Sequence, residues 1–100
     1  MDAKSGVLTA KSLDEQIDEL KARLIVLGFE PAFFDDDFLF NRKVAAVSLH
    51  RGMFTNDYRA TLMPDIRVPS KHQNLFLNNH SVDDIMEQII RRVYHINHGH

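Results

Sequence analysis

The chain contains no cysteine. That excludes a disulfide framework, a thiolate nucleophile, an iron–sulfur cluster and cysteine-ligated zinc, and it fits a reducing compartment. Glycine is scarce, at four residues. No glycine-rich phosphate loop and no G-x-S-x-G nucleophile elbow is present. No catalytic residue, no enzymatic activity and no cofactor are therefore expected. No unbroken apolar run exceeds four residues, so no segment is predicted to span a bilayer. Met1–Gly6 lacks the apolar stretch of a signal peptide, and a cytoplasmic location is the expectation. Excess positive charge is also missing: 12 basic against 14 acidic residues leave a net charge of -2. This balance argues against a general polyanion binder while allowing a local basic patch.

What is present is an ordinary globular composition, 44% apolar and 26% charged over 100 residues, which fits one domain. A chain this short buries only about two thirds of its unfolded surface. A homodimer would add buried apolar area. Residues 1–11 read as a flexible arm, 12–97 as a single domain and 98–100 as a frayed tail.

Two helices are announced by their caps. Ser12-Leu13-Asp14-Glu15 is a capping box. Leu13, Ile17, Leu20, Leu24 and Leu27 then form one apolar stripe, and Gly28 suits the left-handed stop. Ile25 and Val26 widen the apolar surface toward a potential second subunit. Ser81 caps a second helix with Val82, Ile85, Met86, Ile89, Val93 and Ile96 on its buried face. Acids lie early and bases late in both helices, matching the helix dipole.

Between the helices the signals are weaker. Phe29–Phe34 reads as a short extended segment, and Asp35-Asp36-Asp37 as a turn. The apolar run within Phe38–His50 does not by itself separate strand from helix. The turn residues Gly52 and Thr55-Asn56-Asp57, and the alternation from Tyr58 to Met63, decide for a hairpin of about Val44–Arg51 with Tyr58–Met63. Ile66-Arg67-Val68 reads as a short third strand, and Leu75-Phe76-Leu77 is expected to tuck into the core. The predicted fold is α+β: an N-terminal helix, a two- or three-stranded antiparallel sheet, and a C-terminal helix packed on it.

Three constellations carry chemistry. Asp35, Asp36 and Asp37 form an acidic turn suited to a basic protein partner. They lack the spaced ligands and glycine of a calcium loop. Arg42, Lys43, Arg51 and Arg59, near Phe38, Phe40, Phe54 and Tyr58, are the candidate nucleic-acid surface, since cations and aromatics together serve phosphates and bases. Strand aromatics also simply fill cores, and edge cations discourage aggregation. His95, His98 and His100 are the candidate metal ligands, although a helix end gives them no fixed frame. His50, His72 and His80 are scattered, and Arg91-Arg92 offers a grip for phosphate or an acidic partner.

The leading expectation is a small non-catalytic protein-interaction module, adaptor-like or inhibitor-like. Compact accessory proteins of phages and mobile elements share this profile. Its partner surface would be the acidic turn. The alternatives are a nucleic-acid or nucleotide binder using the basic strand region, and a histidine-dependent metal-binding protein.

Overall fold

The Ser12 hydroxyl accepts from the Glu15 amide at 3.1 Å, and the Glu15 carboxylate accepts from the Ser12 amide at 2.8 Å. Two of the donors that a helix start leaves without partners are thereby satisfied. In the computed structural model, which describes residues 11–41, 44–52 and 54–94, this cap opens α1 (Leu13–Val26). Ile17, Leu20 and Leu24 are fully buried, while Leu13 and Leu27 flank the core as the stripe requires. Gly28 stops the helix at φ 106°, a conformation that any Cβ would strain.

Five strands follow: β1 (Glu30–Ala32), β2 (Asp35–Asn41), β3 (Ala45–His50), β4 (Arg59–Met63) and β5 (Gln73–Phe76). Spatial order equals chain order, and every pair is antiparallel. The hairpin of β3 and β4 is the one that the alternation predicted. Its turn is tight at Gly52, where an added Cβ would lie 2.7 Å from the Asp57 carbonyl oxygen.

The α+β class holds, with a larger sheet than the two or three strands expected. Asp35, Asp36 and Asp37 are not a turn; they begin β2, and Phe33-Phe34 makes the turn before it. Ile66–Val68 is not a strand. The Asp65 carboxylate accepts from the Arg67 amide at 2.9 Å, and the Asp65 carbonyl accepts from the Val68 amide at 3.0 Å. This side-chain turn lies between Pro64 and Pro69 and folds the segment back on itself. The third partner strand is β5 instead.

Ser81 caps α2 (Val82–Ile89), its hydroxyl accepting from the Asp84 amide at 3.0 Å. The helix widens into a π-helical turn over Ile90–Tyr94. Val82, Ile85, Met86, Ile89 and Val93 are buried as their spacing predicts. The α1 helix contacts β1, β3 and α2, and the π-helical turn contacts β3 and β4. Both helices therefore cover the face carrying Leu39, Val47, Leu49, Ala60, Leu62 and Leu75. Each of the leucines and Val47 contributes about 1.5–3 kcal/mol by leaving water. Among the described residues no helix is long and apolar enough to cross a membrane. The expected arm at 1–11, apart from Lys11, and the tail at 98–100 lie outside the described residues, as does Ile96.

Ser12→Ala removes half of the capping box and is expected to lower unfolding free energy by about 1 kcal/mol in urea titration. An unchanged midpoint would show that the cap contributes nothing beyond what water supplies.

Candidate functional site

Side chains alternate across a strand. Along β2 this sends Asp37, Leu39 and Asn41 toward the helices, and Asp36, Phe38 and Phe40 to the opposite, helix-free face. The acidic triplet is thereby divided. Asp37 meets Arg51, whose Nε donates to its carboxylate at 2.9 Å. The same guanidinium donates to Asp14 at 3.2 Å and to Asp18 at 2.7 Å, both on α1. Lys21 approaches Asp37 at 3.6 Å, and the Tyr58 hydroxyl donates to Asp14 at 3.3 Å.

Burial disfavours the charged form of Asp37, but the hydrogen bond and charge of Arg51, helped by Lys21, outweigh it and hold the carboxyl below its ordinary range. The Asp37 hydrogen bond, with those from Asp18 and Asp14, raises the pKa of Arg51 despite its own burial. Burial, then the Asp14 carboxylate, pushes the Tyr58 hydroxyl up. Arg51, one of the predicted nucleic-acid-binding residues, is therefore engaged in tying α1 to the sheet.

Asp35 and Asp36 remain exposed, and among the described residues neither has an ion-pair partner. Among the described residues the Asp35 carboxylate accepts only from the Asp37 amide, at 2.9 Å. Beside them the Phe33 and Phe34 side chains project from the β1–β2 turn, Phe33 100% and Phe34 62% exposed. Their rings meet edge to face at 5.7 Å. Phe34 continues to Phe38 at 5.5 Å, and Phe38 to Phe40 at 5.0 Å. The result is one aromatic chain leading from the hairpin tip onto the helix-free face. Antiparallel register places the β3–β4 turn at the same end, and its Phe54 is 100% exposed.

Across the sheet the face becomes small and polar. Phe38 pairs with Ser48, Ser48 with Thr61 and Thr61 with Asn74. The Thr61 hydroxyl donates to Asn74 at 2.5 Å. Ala46 and Met63, beside Phe40 in the register, are buried on this side too.

The remaining candidates are dispersed. Arg59 is on the helix-free face, paired with Asp57 and 5.8 Å over the Phe76 ring. Arg42, Lys43, His95, His98 and His100 lie outside the described residues. His50, His72 and His80 do not converge: each has its own partner, in Asp57, the Asp65 carbonyl and Asp84. Among the described residues no group of three or more histidine or carboxylate side chains is placed to hold a metal ion. The aromatic tip was missed in the sequence because Phe33 and Phe34 read as part of a short extended segment, with the turn placed after them. The signal available was their position, immediately before three acidic residues and immediately after Pro31-Ala32, where a turn leaves side chains outside.

Asp37→Asn should lower stability by about 1–2 kcal/mol at neutral pH, the scale of a half-buried charged hydrogen bond whose other partners persist. The native pKa of Asp37 is depressed, so its contribution is complete above the unfolded value near 3.8. It disappears as pH falls through the native value. Urea titrations of wild type and variant should converge in acid; a penalty independent of pH would contradict this role.

Comparison with protein-family models, with curated proteins and with solved structures gives no match, so the functional reading rests on this chain's own residues.

Proposed function

We propose that this domain is a non-catalytic protein-interaction module, and that the end of the sheet bearing Phe33, Phe34, Asp35 and Asp36 docks the partner. One observation carries the reading: two adjacent phenylalanines project into water beside two carboxylates that no described cation engages. Hydration of exposed aromatic rings is unfavourable, and exposed apolar clusters rimmed by charge mark interaction surfaces. Aromatic anchors supply much of the binding energy of protein interfaces, while rim charges steer approach. The complementary partner is a protein surface with an apolar pocket beside lysine or arginine.

The nucleic-acid alternative draws less support. Arg51 is enclosed by three carboxylates, and Arg59 is paired with Asp57. Asp35 and Asp36 beside the aromatic rings would repel phosphates. A homodimer is a further part of the proposal, supported by a different surface. Val26 is 85% exposed, beside an apolar groove of about 300 Å³ formed with Leu27, Met86 and Ile90. Val26→Lys is expected to shift sedimentation from dimer to monomer. Identical sedimentation of the two proteins would remove this surface from consideration.

The principal test is affinity capture from lysate of the source cells with wild type, Phe34→Ser and Asp36→Lys, each with and without nuclease. Wild type should retain a stoichiometric protein that survives nuclease. Phe34→Ser should weaken the complex by about 2 kcal/mol, roughly thirtyfold in Kd, as loss of an interface anchor does. Its fold should persist, because the side chain is outside the core. Equal retention by all three proteins, or capture abolished by nuclease, would defeat the proposal.

A further inference from the structure

At the opposite end of the sheet four separate segments converge on a cleft of about 650 Å³. They are the residue before β3, the turn after β4, the 3-10 turn Pro69–Lys71, and the π-helical turn that extends α2. Among the described residues three cations line it, Lys71, Arg91 and Arg92, against one carboxylate, that of Asp65. That carboxylate is neutralised locally. Arg67 donates to it through Nε and a terminal nitrogen, both at 3.0 Å, and through its amide at 2.9 Å. These bonds, the side-chain pair foremost, hold the Asp65 pKa at about 2, with smaller help from the charges of Arg67 and, at longer range, Lys71.

The cations themselves are largely uncommitted. Among the described residues neither Lys71 nor Arg92 has an ion-pair partner. Arg91 reaches Glu87 at 2.7 Å, but both side chains are mostly exposed, and such surface pairs hold weakly. The helix dipole accounts for positive charge in a last turn. It does not account for Lys71, which arrives from a different segment about twenty positions earlier in the chain. The π-helical turn adds a geometric reason. Its wider winding brings consecutive side chains closer together around the axis than an α turn does, so Arg91 and Arg92 both line the cleft.

We infer that this cleft binds a small phosphorylated molecule. The phosphate would be held by Arg92, Lys71 and Arg91 with the Ser70 hydroxyl, and the organic part would lie against Val44 and Pro64. Arginine forks suit phosphate oxygens. The volume falls within the range of small-molecule sites and far exceeds what inorganic phosphate needs. The inference is independent of the proposed docking surface, which lies at the other end of the sheet.

The test is amide chemical-shift titration of the full chain at low ionic strength with pyrophosphate, adenosine 5′-monophosphate, adenosine and a single-stranded oligonucleotide without terminal phosphates. Pyrophosphate and the monophosphate should shift the amides of Ser70, Lys71, Arg91 and Arg92, and adenosine should leave them in place. Arg92→Gln and Lys71→Gln should each weaken the monophosphate about tenfold with unchanged melting temperature. The inference fails if pyrophosphate moves none of these amides, if adenosine moves them equally, or if both variants bind as wild type does. Tighter binding of the oligonucleotide than of the monophosphate would also overturn it, in favour of a nucleic-acid surface.

Discussion

The guanidinium of Arg51 donates to carboxylates on two different elements, Asp37 on β2 and both Asp14 and Asp18 on α1. Much follows from that one group. It fixes the rotation of α1 on the sheet, because Asp14 and Asp18 are one helical turn apart and must both face it. It fixes the parity of β2, because Asp37 must point inward. Strand geometry then leaves Asp36, Phe38 and Phe40 no direction but outward. The aromatic face and its acidic rim are thus the other side of an internal ion-pair network, and a one-residue slip of β2 would destroy both together.

The helices were legible because their signals are local. Caps, a period near 3.6 and a glycine stop involve residues within a few positions of one another, and Ser12, Leu20, Gly28 and Ser81 all serve as their spacing indicates. The sheet was less legible because its determinants are distant. Asp35, Asp36 and Asp37 are poor strand formers, and the ladders to β1 and β3 together with the ion pair of Asp37 with Arg51, just past the end of β3, favour extended backbone there. Gln73 and Asn74 begin a strand because β4 offers them an edge. Ile66 and Val68 have strand composition, yet the Asp65 side chain and the flanking prolines bend them away. The candidate site suffered the same limit. Three consecutive carboxylates look equivalent in a list; the pleat turns Asp36 away from Asp37, and of the two that share a side only Asp37 meets Arg51.

A net charge of -2 suggests an electrically bland molecule, but the charges are arranged by position. One end of the sheet shows Asp35 and Asp36 beside phenylalanine rings. The other shows Lys71, Arg91 and Arg92 around a cleft in which the one acid is already paired. Antiparallel register creates this division, since alternate connections must emerge at opposite ends. Composition averages over it, which is why a near-neutral total excludes a uniformly basic surface and says nothing about a local one.

The strand order has a consequence for how the chain assembles. Every strand pairs only with its neighbour in sequence, so the sheet closes through a series of short loops, each entropically cheap. A far longer closure is the contact of α1 with α2, marked by the Arg23–Asp83 ion pair across 60 positions. Jacobson–Stockmayer scaling makes that loop costlier than one of about ten residues by roughly (3/2)RT ln 6, or about 1.6 kcal/mol. A preformed sheet shortens the effective loop by holding its two ends on a common surface. The meander is thus a template as well as a scaffold, and it lets helices from opposite ends of the chain meet without a long unguided search.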